Sequence, residues 1–258
     1  MKRIGVFDSG LGGLTVVKAI LSEMPKENIV FFADAANMPY GDKTPEEIVA
    51  FSRHNASILN EYDLKALVIA CNTSDSIAGD LLKQSYEIPV SGVITAAAEE
   101  AVKQTKNKKI AVLATKATVL SGSYQKQIKE LDEEIAVTAI PCPDLVPLIE
   151  EGRFIGYDEL LDRSIDKYLE EARQCEADTV ILGCTHYDLL YDLVQEKMPD
   201  VKIVSSSRTV VQELKEILTG SHRLSRWKGK DIYLSSSCSQ HLDQIAAKII
   251  PDIRLQKK

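Results

Sequence analysis

Long apolar stretches are missing from this 258-residue chain, and none approaches the roughly 20 residues that a membrane-spanning helix needs. No membrane partner is therefore expected. Low-complexity tracts and Pro/Gly/Ser-rich linkers are also missing, so composition marks no domain boundary. Five cysteines, an odd number without compact spacing, describe no disulfide framework. Free thiols in a reducing cytoplasm are the expected setting. The opening apolar run is interrupted at Asp8, which argues against a signal peptide. The formal net charge of −7 is dispersed rather than gathered in a tail, and no nucleic-acid partner is expected. Zinc spacing is lacking too: Cys184-x-His186 has no second ligand pair, and Cys142, Cys175 and Cys238 stand alone, so no metal is expected. Gly10, Gly12 and Gly13 follow a strand and open a helix. However, Thr15 stands where a dinucleotide fingerprint needs its third glycine, and no Gly-Lys-Ser/Thr follows. A phosphate cradle is the weaker reading of that loop.

What is present is alternation. Apolar strand candidates at 4–7, 29–33, 66–70, 89–94, 110–114, 136–140, 179–183, 201–205 and 231–234 are separated by amphipathic helical stretches. Thr44-Pro45-Glu46-Glu47 gives one helix start, with a capping Thr, Pro at the first position and acids in the first turn. The pattern predicts an α/β fold of largely parallel sheets with helices on both faces. Two echoes suggest a duplication. The segment 67–75 (Leu-Val-Ile-Ala-Cys-Asn-Thr-Ser-Asp) parallels 180–188 (Val-Ile-Leu-Gly-Cys-Thr-His-Tyr-Asp), and 4–9 parallels 110–115. Two pseudo-symmetric, doubly wound domains follow, 1–95 plus 205–258 and 96–204, with the active site in the cleft between them.

The echoed cysteines, Cys71 and Cys184, each stand just past an apolar strand, where ligands collect in open α/β sheets. A lone strand cysteine is usually a small core residue; two matched ones at loop-facing strand ends suggest a proton-transferring pair. His186 is placed to stabilise a thiolate at Cys184, and Asp8 to assist Cys71 unless it merely caps the following helix. Ser9, Asn72, Thr73, Thr115, Thr118 and Thr185 are read as strand-end hydroxyls and amides on the same edge, and Tyr40-Gly41 as a tight turn with free amides. Together they would form a polar pocket for a small zwitterion.

The runs Val6-Phe7-Asp8-Ser9-Gly10-Leu11-Gly12-Gly13, Pro39-Tyr40-Gly41, Ala70-Cys71-Asn72-Thr73 and Gly183-Cys184-Thr185-His186-Tyr187 resemble, in order and spacing, the signature of glutamate racemases. Ala114-Thr115-Lys116-Ala117-Thr118 and the run 146–152 extend the resemblance over nearly the whole chain. It implies a cofactor-independent enzyme interconverting L- and D-glutamate for bacterial peptidoglycan, with a homodimer expected from the resemblance alone. By the same carry-over Cys71 and Cys184 are proton acceptor and donor on opposite faces of the α-carbon, Asp8 and His186 assist them, and Asp34 and Glu150 are supporting acids. Ser9, Tyr40, Gly41, Asn72, Thr73, Thr115, Thr118, Thr185 and His186 would line the substrate site. The chain departs from the family pattern at Asn37, Asp75, Asp188 and Ser205-Ser206, read as added acids and lost positive charge near the mouth. Three other readings stand beside this one: racemisation of another amino acid such as aspartate, a hydrolase or transferase with a Cys184–His186 nucleophile, and a non-catalytic amino-acid binder.

Overall fold

The computed structural model describes residues 2–156 and 158–258. Among the described residues ten strands form two sheets, parallel throughout. The first contains β1 (Arg3–Asp8), β2 (Ile29–Ala33), β3 (Leu64–Ile69), β4 (Val90–Gly92), β9 (Ile232–Ser235) and β10 (Gln256–Lys257), in the order β10-β9-β2-β1-β3-β4. The second contains β5 (Lys109–Ala114), β6 (Ala136–Pro141), β7 (Thr179–Gly183) and β8 (Lys202–Ser205), in the order β6-β5-β7-β8. The four-strand cores are wound identically, since β2-β1-β3-β4 and β6-β5-β7-β8 are one order repeated. β1 and β5 are equivalent, as are β3 and β7, which is the pairing the two sequence echoes give.

Central strands of both sheets are buried on both faces, which explains their unbroken Val/Ile/Leu character. One apolar cluster draws on both sheets: Leu14, Val17 and Ile20 of the helix Leu14–Glu23, Ala97 and Ala101 of the helix Val93–Gln104, and Val210, Leu214 and Leu218 of the helix Ser206–Gly220. The halves are therefore joined by a common core rather than by a tether. The Thr44 helix start forms as expected, with Thr44 Oγ1 accepting from Glu47 N and the Glu47 carboxylate accepting from Thr44 N.

One strand expectation needs correction. The candidate 89–94 ends at Gly92, because Val93 and Ile94 open a helix whose Ile94 amide is capped by Asp75 Oδ2 at 2.8 Å. Beyond the candidate strands, Gln256–Lys257 adds an edge strand too short and polar to be read from periodicity.

Candidate active site

β1 and β3 run parallel in one sheet and β5 and β7 in the other, so their carboxyl ends deliver Asp8 and Cys71 to one sheet edge and Thr115 and Cys184 to the second. The contacts Thr185–Asp8 and Thr73–Thr115 bring the two edges together. Cys71 is the residue before the helix Asn72–Ser85, and Cys184 precedes the short 3-10 helix Thr185–Leu190. Both thiols are buried. A continuous run of contacts links them. Cys71 Sγ lies 3.5 Å from Ser9 Oγ, the neighbouring Asp8 Oδ1 accepts from Thr185 Oγ1 at 3.4 Å, and Cys184 Sγ lies 3.7 Å from His186 Nδ1. The second imidazole nitrogen meets Glu150 Oε1 at 2.6 Å. Cys184, His186 and Glu150 thus form a buried line.

Burial, reinforced by the Asp8 charge, pushes Cys71 up to about 12 against the pull of Ser9 and Ser74. At neutral pH it holds its proton. Burial alone would depress His186, but Cys184 and Glu150 outweigh it and carry the imidazole well above its ordinary value. Burial also pushes Glu150 up, and His186 more than offsets this and holds the carboxyl below its usual range. Asp8 is raised by burial despite the opposing His186 charge and the Gly13 and Gly10 amides.

The glycine loop explains itself by close approach. A Cβ on Gly12 would fall 2.5 Å from His186 Nδ1 and Thr185 Oγ1, and one on Gly13 would fall 2.5 Å from Asp8 Cβ. The loop amides are already engaged: Gly10 and Gly13 donate to Asp8 Oδ2 at 3.2 and 2.9 Å, and Leu11 donates to Glu150 Oε1 at 3.3 Å. This disposes of the phosphate-cradle reading. Asp8 thus ties down the loop at the start of the helix, and its charge also acts on Cys71 and His186.

Thr73, Thr115 and Thr118 form a cluster of hydroxyls across the sheets, with Oγ1 to Oγ1 distances of 2.9, 3.4 and 3.0 Å. Thr118 is not at a strand end; it lies in the first turn of the helix Lys116–Ser121, where Thr115 is the cap. Gly41 packs on Thr115, its hypothetical Cβ 3.1 Å away. The Tyr40 hydroxyl is already committed, donating to Asp34 Oδ2 at 2.5 Å and accepting from Asn55 Nδ2 at 3.0 Å. Asp34 spends its remaining hydrogen bonds on Asn37 and Ser236. It braces the Tyr40-Gly41 turn and reaches neither thiol.

The departures also find places. Asp75 and Asp188 stand four residues beyond Cys71 and Cys184 and accept from Ile94 N and Ser207 N, 2.8 and 3.0 Å away, at the starts of the two equivalent helices after β4 and β8. They are helix caps, not acids at a mouth. Burial raises each to about 6. Sequence reasoning missed Tyr124, whose hydroxyl donates to Asn72 Oδ1 at 2.7 Å; Ser206, noted only as a departure, accepts from Asn72 Nδ2 at 3.3 Å. That reasoning also missed Thr15, which joins the halves by donating to Thr185 O at 3.3 Å and also meets Ser207 Oγ at 2.7 Å. Only the echo of Asp75 with Asp188 could have pointed to this layer.

The family described as Asp/Glu/hydantoin racemase matches residues 4–214. The chain belongs to that family. Within it, the chain is 40% identical to a glutamate racemase of Sulfurihydrogenibium over 98% of its own length and 96% of the relative's. It is 38% identical to that of Staphylococcus carnosus, over 96% and 94%. Among solved structures, glutamate racemase isoform RacE1 of Bacillus anthracis superposes with a TM-score of 0.92 at 33% identity, covering 100% of this chain and 96% of that one. The glutamate racemase of Francisella tularensis in complex with D-glutamate gives 0.90 at 32%, covering 99% and 95%. These racemase relatives share the two-sheet architecture, as the winding of the strands led us to expect.

Proposed function

We propose that this chain is a glutamate racemase that inverts the α-carbon by proton transfer between Cys71 and Cys184, without a cofactor, and supplies D-glutamate for peptidoglycan. The observation that carries the reading is the placement of two buried thiols at equivalent strand ends, joined through Ser9, Asp8 and Thr185. Inversion needs a base on one face of the stereocentre and an acid on the other, and two thiols supply both. Cys71, held protonated, suits delivery; Cys184 beside the His186–Glu150 pair suits abstraction. The reverse direction exchanges the roles. Amides and hydroxyls of Asn72, Thr73 and Thr185 would meet the substrate carboxylate as negative charge develops, in a site that excludes water. Asp8, Ser9, Thr115, Thr118, Gly41 and the Tyr40 turn would complete the substrate pocket. We further assign residues 1–95 plus 205–258 and 96–204 to two domains closing on the substrate, in a cytoplasmic homodimer.

The test is isotopic. Purified protein incubated with L-glutamate in D2O, without added cofactor, should yield D-glutamate carrying deuterium at the α position. Turnover of L-aspartate alone would transfer the reading to another amino acid, and a trapped acyl-thioester at Cys184 would replace it with acyl transfer.

A further inference from the structure

Between the helix Ser206–Gly220 and β9, residues 221–231 run without helix or strand. Within them His222-Arg223-Leu224-Ser225-Arg226-Trp227-Lys228-Gly229-Lys230 has four Lys/Arg and no acid, in a chain whose net charge is −7. Trp227, the only tryptophan, is 75% exposed, and Leu224 is 42% exposed. Lys228 pairs with Asp231, whereas the exposed Arg223, Arg226 and Lys230 have no acidic partner among the described residues.

An irregular segment of this kind would ordinarily be slack; this one is held down by buried polar groups. Lys65 Nζ, paired in the interior with Glu27, donates to Arg223 O at 2.7 Å and to Ser225 Oγ at 2.9 Å. The Glu27 carboxylate accepts from Ser225 N and Ser225 Oγ at 2.7 and 2.9 Å. Asn28 donates to Trp227 O at 3.3 Å and accepts from Gly229 N, and Arg3 donates to Lys230 O at 2.6 Å. An interior ion pair is costly to desolvate, and here its hydrogen bonds are directed to fixing one loop. The anchors Arg3, Glu27, Asn28 and Lys65 all lie at the amino-terminal edge of the first sheet, a strand length of roughly 20 Å from the thiols.

We infer that this loop docks the molecule on the surface of an anionic lipid bilayer. An exposed indole beside Leu224 matches the water–lipid boundary, where an amphipathic ring buries its face and keeps its edge wet. Cations flanking the indole add attraction to anionic headgroups. The rest of the chain carries the negative excess, so the molecule is oriented with this edge toward the membrane and the catalytic edge away from it. A single aromatic without a groove is a poor platform for a nucleic-acid strand, which needs successive bases to stack. No spanning helix is required for such contact.

The sole tryptophan reports directly. With vesicles of phosphatidylglycerol and phosphatidylcholine at low salt, the intact protein should pellet with the lipid and its emission should shift to the blue. Phosphatidylcholine vesicles alone should do neither, and added salt should reverse both. The triple variant Arg223→Gln, Arg226→Gln, Lys230→Gln should lower partitioning about a hundredfold, at about fivefold per cation. Trp227→Ala should weaken pelleting while leaving the thermal midpoint and racemisation unchanged. Absence of pelleting on anionic vesicles, equal pelleting on neutral ones, or an emission change with a single-stranded oligonucleotide but not with vesicles would overturn the inference.

Discussion

At the scale of single residues, the site is a set of ionisable groups that set one another's protonation. Glu150 is the one whose role is most separable, because it touches His186 and the Leu11 amide but neither thiol. Glu150→Gln removes a charge-assisted hydrogen bond, which is worth about 1.5–3 kcal/mol, so we expect kcat to fall by about one to two decades. The pH profile supplies the sign. Glu150 raises the imidazole, so its loss should move the alkaline limb governed by His186⁺ to lower pH. An unchanged limb would show that His186 does not act as a cation. Asp8→Asn makes the complementary prediction: it removes a charge that raises Cys71, so the titration of that thiol should move down, measured by the pH dependence of its alkylation. The sequence already gave reason to look at Cys71, Cys184, His186 and Asp8, since chemistry-bearing residues at strand ends are visible to pattern reading. That Asp34 would be spent on the Tyr40 hydroxyl was not legible, because a hydrogen bond six residues away depends on how the turn folds.

Turns and helix starts decide how close these groups come. Gly12 is where the first loop passes the second, and the space is full: a methyl there meets His186 and Thr185 at 2.5 Å. Gly12→Ala should therefore displace the His186 loop and lower kcat at least tenfold, at a stability cost of about 1–3 kcal/mol. Thermal unfolding and steady-state rates separate the two effects. The caps Asp75 and Asp188 predict a pH dependence of stability. Each has a folded pKa near 6, above the unfolded carboxyl value of about 3.9, so each favours folding most below pH 4 and loses that contribution as pH rises through 6. Asp75→Asn keeps an acceptor for the Ile94 amide without a charge. It should raise the melting temperature relative to the parent at pH 8, keep part of that advantage at pH 5 and lose it below about pH 4. Both acids were visible as an aligned pair in the sequence, but reading them as caps required knowing which helix start each faces.

For the molecule as a whole, the repeated winding order of the sheets and their shared core tie the halves into one unit. Leu214, fully buried in that common cluster, is the place to probe it. Leu214→Ala should cost about 2–5 kcal/mol, with far-UV signal and activity lost in one coincident transition. Two separated transitions would mean that the halves unfold independently. The duplication was legible because strands buried on both faces leave continuous apolar runs that two cysteines punctuate at equivalent points. The layer of Tyr124, Ser206, Ser207 and Thr15 beneath the cysteines was not, because hydroxyls carry no periodicity of their own. The most direct test of the two-thiol account is the racemisation rate of the separate Cys71→Ala and Cys184→Ala variants, in both directions, on protein shown to be folded. We predict that each variant loses about a thousandfold or more in both directions; a parental rate from either one would contradict the account.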